Sequence, residues 1–209
     1  MKSFKIYLAS QSPRRRELLS QAGYEYTLVE SAFDEASLRG SIPDPREYVC
    51  ANAVNKGRWV VENSGFRKQI KGPTIIISAD TIVVLGKTIL EKPKNTSGAV
   101  SMLQSLSEKT HTVLTSMCFH FVKSKDGVFK TREETFESDV TFRCLSDAEI
   151  RAYVASGEPM DKAGSYALQG RGASFVKKIH GSNTNVIGLP LAEAVEWLED
   201  SRQIFDTMD

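Results

Sequence analysis

Cysteine is scarce in this chain, and the three present (Cys50, Cys118 and Cys144) lie far apart. They form no CxxC pair and no Cys/His cluster with His111, His120 or His180. That spacing argues against a disulfide framework and against a zinc site, and it suits reduced thiols in the cytoplasm. Long apolar runs are missing too. No stretch of 18 apolar residues exists for a membrane span, and MKSFKIYLAS has too short an apolar run for a signal peptide. The sequon Asn95-Thr96-Ser97 is therefore expected to go unused. An excess of one charge is also absent: 27 Lys and Arg stand against 26 Asp and Glu, for a net charge of +1. A duplex-binding protein normally shows a basic total and a concentrated basic face, so no nucleic-acid partner is expected. Local basic clusters remain, and they point to a small polyanion.

Two phosphate-binding motifs fail on inspection. Gly86-Lys87-Thr88 resembles the end of a P-loop, but the earlier glycine would fall at Thr81, and the segment reads as a hairpin. Gly170-Arg171-Gly172 is followed by Phe175 where a dinucleotide fingerprint needs a third glycine. There is no internal repeat and no low-complexity tract. At 209 residues the chain is long enough for one large domain or two joined lobes.

What is present begins with LASQSPRRRELL, which reads as a strand running into a helix. Ser12 suits the N-cap and Pro13 the first helical position. Arg14, Arg15 and Arg16 then crowd the first turn, where unpaired N–H groups already carry partial positive charge and cations are unfavourable. One reading is that their side chains bend away into water. The other is that an anion sits there, held by backbone N–H groups and guanidinium forks.

Further along, Tyr24 to Glu30 reads as a strand that ends in an acidic loop with Asp34 and Glu35. Asp44 and Pro45 open a helix that runs to Asn63-Ser64-Gly65. TIIISA (Thr74 to Ala79) reads as a buried strand that stops at Asp80, followed by a hairpin around Gly86-Lys87. Thr96 to Leu106 reads as a helix. Asp126-Gly127 marks a turn between two long strands. Ser146-x-x-Glu149 forms a capping box. Ser174 to Ile179 is strand-like, and Pro190 to Glu199 makes a last helix with a fraying tail after Ser201. Strands and helices alternate with both crossovers and hairpins, which predicts an α/β class with a mixed sheet.

Chemistry-bearing residues gather at element ends. Asp80 follows an apolar strand, and active-site groups in open α/β sheets collect beyond strand carboxyl ends. Asp34, Glu35 and Asp80 without soft ligands suit a hard divalent ion. Lys56 shares a helical face with Val49, Ala53 and Val60, so it either snorkels to water or meets an anion. Lys92 is restricted by Pro93. Cations, carboxylates and a candidate metal together form the inventory for chemistry on a phosphate chain.

SQSPRRRELL, Asp34-Glu35, AVNKGR, ISADTIV, LEKP, THTVLT and DKAGSYALQGRGASFVKKIHGSNTNVIGLPL resemble, in order and through nearly the whole chain, the Maf-like nucleoside triphosphate pyrophosphatases. The resemblance implies a single Maf-like domain over 1–209, with two lobes around an elongated mixed β-sheet. It also implies a central cleft and kinship with the inosine triphosphate pyrophosphatases. The implied reaction cleaves between the α and β phosphates with Mg²⁺ or Mn²⁺, in a cytoplasmic homodimer. On matching positions Asp80 is the implied proton acceptor. Ser10, Ser12, Arg14 and Arg15 cradle phosphate, Lys56 and Lys92 balance triphosphate charge, and Glu35 with Asp80 positions the metal. Gln169, Thr81 and Arg14 are similar to the selectivity positions of the dTTP/UTP subgroup. Alternatives within the resemblance are a methylguanosine triphosphate enzyme and a nucleotide-binding regulator without turnover. Two departures stand out. Glu108-Lys109 replaces a commoner Gly-Lys or Gly-Arg in a turn, and Asn183 and Thr184 replace a more usual aromatic nearby.

Overall fold

The computed structural model describes residues 4–124 and 129–208. Among the described residues, seven strands belong to one sheet, in the order β2-β1-β3-β5-β6-β7 with β4 on β3. The chain divides into two compact units. The first comprises Met1–Asp80, Ser116–Thr135 and Gly188–Asp209, and the second Thr81–Thr115 and Phe136–Ile187.

In the first unit, β1 (Lys5–Ala9) leads to α1 (Pro13–Gln21), and β2 (Thr27–Leu28) pairs in parallel with β1. The strand expected from Tyr24 to Glu30 shrinks to those two residues, both exposed. With no buried face to secure the pairing, a longer ladder gains little. α2 (Pro45–Glu62) starts where Asp44 Oδ1 accepts the N–H of Glu47 at 2.9 Å, and α3 (Ser64–Arg67) follows at once. β3 (Thr74–Leu85) lies parallel to β1, with Ile76 opposite Tyr7. The core here joins Ala9, Val60, Val61, Phe66, Ile70 and Ile76.

β3 corrects the sequence reading. The strand does not stop at Asp80 but continues to Leu85, 12 residues in all from Thr74. Asp80 is therefore a mid-strand residue. β-branched residues on both sides of it keep the backbone extended, and a carboxylate paired with a cation does not interrupt the ladder.

In the second unit, β3 turns at Gly86 into β4 (Thr88–Leu90), antiparallel with Val83 opposite Leu90, as the hairpin reading expected. α4 (Thr96–Leu106) has the expected bounds, and Asn95 caps it by accepting the N–H of Gly98 at 2.8 Å. β5 (Thr110–Val122) and β6 (Phe129–Phe142) are the two long strands, with residues 110–115 and 136–142 in this unit and 116–122 and 129–135 in the first; the Asp126-Gly127 turn expected between them lies outside the described residues. α5 (Asp147–Ala155) begins with half of the expected capping box. Ser146 Oγ accepts the N–H of Glu149 at 3.3 Å, but the Glu149 carboxylate pairs with Arg143 instead of returning to the cap. The charged guanidinium is the stronger partner. β7 (Val176–His180) pairs antiparallel with β6, and α6 (Asn183–Ile187) follows. Val83, Leu103, Leu106, Phe142, Tyr153 and Phe175 lead the core of this unit.

The last helix, α7 (Leu191–Asp206), belongs to the first unit and is longer than expected. Its end does not fray: Phe205 is buried edge-on against Phe121 at 5.7 Å.

Glu108 takes φ +59°, the left-handed region where a side chain crowds its own backbone. The departure noted in that turn thus falls where glycine is favoured. Glu108→Gly should raise the melting temperature by roughly 2–4 °C, for a gain of about 1 kcal/mol. Thermal unfolding checks this, and an unchanged or lower midpoint refutes it.

Candidate active site

The first unit gathers most of the expected residues. Lys56, on α2, directs its ammonium at two carboxylates: Asp80 Oδ1 at 2.7 Å and Glu35 Oε1 at 3.0 Å. The lysine in an apolar stripe thus meets anions; Val49, Ala53 and Val60 beside it are fully buried. Asp80 is 7% exposed, and its second oxygen accepts an N–H from Asn52 at 3.2 Å. Both carboxylate oxygens are therefore tied, one to a cation and one to an amide, which fixes the carboxylate plane.

Asn52 was absent from the sequence reading. It stands one turn before Lys56 on the same helical face, the i, i+4 spacing that brings two side chains to one partner. No local signal marks it, because an amide on a helix is ordinary in sequence. Its Oδ1 is buried without a hydrogen-bond partner among the described residues, and leaving such an oxygen unpaired costs about 1–3 kcal/mol.

The depth of α2 against β3 is set beside this cluster. Ser78 donates to the Ala53 carbonyl at 2.7 Å, and Gly57 lies so close that an added Cβ would meet Ser78 Oγ at 2.6 Å and His120 Cε1 at 2.8 Å.

At the turn from β1 to α1, Arg15 is buried, with Nε donating to the Gly188 carbonyl at 2.7 Å and Nη1 to Ser10 Oγ at 3.2 Å. Burial pulls its pKa below the ordinary guanidinium value, Asp80 and Glu35 push it back up, and Arg14 pulls it down. Arg15 thus belongs electrostatically to the Lys56 cluster, and it answers in part why arginines open a helix. Its side chain folds back over the helix start instead of reaching into water. Arg14 is half-exposed. Ser12 occupies the N-cap position, but its side chain makes no capping bond; Ser10 Oγ accepts the Ser12 N–H instead, at 3.2 Å. Asp34 is not brought to the cluster: its Oδ1 accepts the N–H of Ala36 at 3.0 Å and caps the 3₁₀ turn Glu35–Leu38.

Thr81, Lys92 and Gln169 belong to the second unit. Thr81 Oγ1 lies 3.0 Å from Thr115 Oγ1. Lys92 is exposed in the loop after β4, a loop linked to the DKAG segment by the Gly164 N–H on the Glu91 carbonyl at 3.3 Å. Gln169 is half-buried in a loop held by Glu158, another residue the sequence reading missed. Its carboxylate accepts the N–H groups of Gly172 at 3.1 Å and Arg171 at 3.2 Å, and the Tyr153 hydroxyl at 3.0 Å. Burial opposes ionisation of Glu158, but those amides and the tyrosine outweigh it and hold its pKa below the usual range.

The donor set fits a hard divalent cation. Glu35 and Asp80 already converge on one positive charge, and both offer oxygen. Among the described residues no group of three or more His, Cys, Asp or Glu could hold a metal. Mg²⁺ is commonly held by one or two carboxylates, with phosphate oxygens and water completing its shell.

The family model described as Maf-like protein matches residues 5–201. A dTTP/UTP pyrophosphatase of Geotalea uraniireducens is 45% identical over 193 residues, covering 92% of this chain and 93% of that protein. Another from Anaeromyxobacter dehalogenans is 43% identical over 194 residues, covering 93% and 92%. A human protein described as a probable bifunctional dTTP/UTP pyrophosphatase/methyltransferase is 41% identical over 189 residues, covering 90% of this chain but 30% of its own length. A match over nearly the whole length, joined to relatives of this identity and coverage, shows that the chain belongs to the Maf-like family.

Proposed function

We propose that this protein hydrolyses dTTP and UTP to the monophosphate and pyrophosphate. The observation that carries the reading is the Lys56 ammonium shared by Asp80 and Glu35, with buried Arg15 coupled to the same carboxylates. Cations and carboxylates in one small cluster are what cleavage of a polyanion by water requires. The named activities of the relatives agree with it.

In this reading Asp80 accepts a proton from the attacking water. The new bond forms between the water oxygen and the α phosphorus, and the bond from that phosphorus to the bridging oxygen breaks. Pyrophosphate leaves with the electron pair. Asn52 and Lys56 hold the Asp80 carboxylate in one orientation throughout. Ser10 already accepts two N–H bonds, so its own hydrogen is directed to a phosphate oxygen. Arg14, Arg15, Ser12 and the N–H groups of the α1 start bind the phosphates. Lys56 and Lys92 offset the triphosphate charge, while Thr81 and Gln169 read the base edge. Glu35 and Asp80 would hold Mg²⁺ or Mn²⁺, which when bound offsets charge developing on the phosphate oxygens. The protein acts as a cytoplasmic homodimer; no helix among the described residues is long and apolar enough to cross a membrane.

A triphosphate panel with Mg²⁺ or Mn²⁺ in ¹⁸O-labelled water tests this. UTP and dTTP should yield labelled monophosphate and unlabelled pyrophosphate, ahead of 7-methylguanosine triphosphate. Release of inorganic phosphate and a diphosphate refutes the reading, as does an absence of turnover.

A further inference from the structure

Asn52, on α2 in the first unit, carries an oxygen that the protein leaves unsatisfied. The residue is 1% exposed, and Nδ2 donates to Asp80 Oδ2 at 3.2 Å. A carboxylate only accepts, so the nitrogen end of the amide faces Asp80. Oδ1, the other end of the same amide, is buried with no hydrogen-bond partner among the described residues. Lys56 stands one turn further along the helix, but its ammonium is spent on Asp80 Oδ1 at 2.7 Å and Glu35 Oε1 at 3.0 Å. Among the described residues Asp80 Oδ2 receives one hydrogen bond, from Asn52, and keeps a lone pair to spare. A carboxylate oxygen with capacity left thus lies beside an amide group whose own oxygen is unused.

The geometry points to Asn52 as a third protein ligand of a divalent cation, its Oδ1 joining Asp80 and Glu35 as a neutral oxygen donor. This rests on the reading that those two carboxylates hold the ion, and it adds a residue to that reading. Hard divalent cations are bound by carboxylates together with Asn or Gln carbonyl oxygens. By direct contact Asp80 and Glu35 share one ammonium between two negative charges, which favours a cation over water as the group that reaches Oδ1. The two ends of the amide then have separate duties. Nδ2 steadies the Asp80 carboxylate, and Oδ1 binds the ion that the carboxylate attracts. An asparagine also adds this ligand without a third negative charge, which would repel an approaching polyanion.

The test uses the full-length protein labelled with [γ-¹³C]asparagine, with Mn²⁺ alone and with Mn²⁺ plus the α,β-methylene analogue of UTP. Electron–nuclear double resonance should show the ¹³C coupling of a directly bound carbonyl. That coupling should vanish in Asn52→Asp, where residue 52 keeps an oxygen but loses the label, or in Asn52→Leu should the first variant not fold. Asn52→Leu should also weaken Mn²⁺ binding roughly tenfold or more. A residue acting only from behind a ligand costs as much affinity, so the coupling decides. Bound Mn²⁺ without the coupling, which is the result a water on Oδ1 would give, overturns the inference and leaves the proposed reaction standing. A coupling that survives in Asn52→Asp overturns it as well. Failure of Mn²⁺ to bind in either condition overturns both the inference and the two-carboxylate reading beneath it. The coupling with no turnover of UTP overturns the proposed reaction and leaves Asn52 as a ligand.

Discussion

Replacing Asp80 by Asn should lower pyrophosphate release from UTP by about 10²–10⁴-fold, the range expected when a positioned general base is lost. Nucleotide affinity should hold or rise, because a carboxylate that repels the polyanion is removed while Lys56 and Arg15 remain. Lys56 keeps its 3.0 Å contact with Glu35, so the ammonium is not stranded. The measurement is initial rate beside the dissociation constant of the α,β-methylene analogue, with a melting curve to confirm folding. Turnover within tenfold of wild type removes Asp80 as the proton acceptor.

The second large effect is on stability in acid. His120 is fully buried in the first unit, with Nδ1 3.2 Å from Cys118 Sγ and its ring stacked on Phe129. His111 is buried in the second, with Nε2 2.8 Å from the Tyr166 hydroxyl. Burial lowers the pKa of each from 6.5 to about 4; Asp139 partly opposes this at His111, and Arg58 adds to it at His120. Between those values the unfolded chain binds more protons than the folded one, so the stabilisation is complete above pH 6.5 and is lost as pH falls toward 4. At pH 5 the loss is about 2 kcal/mol for each histidine. Urea midpoints at pH 7, 6 and 5 should fall steeply, and His111→Gln should flatten part of that slope. A midpoint independent of pH across this interval refutes the assignment of neutral buried rings.

Sequence periodicity reached most of the architecture because its elements are locally determined. Asn95 and the apolar spacing after it define α4 to the residue, and Asp44-Pro45 opens α2 where capping chemistry says it should. The errors have tertiary causes. An aspartate looked like the end of a strand, but Lys56 and Asn52 come from another element to satisfy Asp80, and no local pattern announces such a partner. Ser12 looked like a capping side chain, yet Ser10 and Arg15 organise that turn. The fraying tail was mistaken because the aromatic surface awaiting Phe205 comes from β5, more than 80 residues earlier. Among the proposed site residues, Lys56 and Arg15 were legible from charge in unusual places, while Glu35 stood out only as one of a loop pair with Asp34. Asn52 and Glu158 were not legible, since an amide and a loop carboxylate are ordinary in sequence and gain meaning only from what they face.

Gly57 shows how narrow the tolerance of such a cluster is. Ser78 Oγ already donates to Ala53, so it cannot retreat from an added methyl group without surrendering that bond. Even an alanine would wedge the helix outward, and because Lys56 is the adjoining residue, its ammonium would drift from Asp80. A missing side chain thus acts as a spacer of zero thickness, and the reach of the neighbouring lysine is calibrated to it.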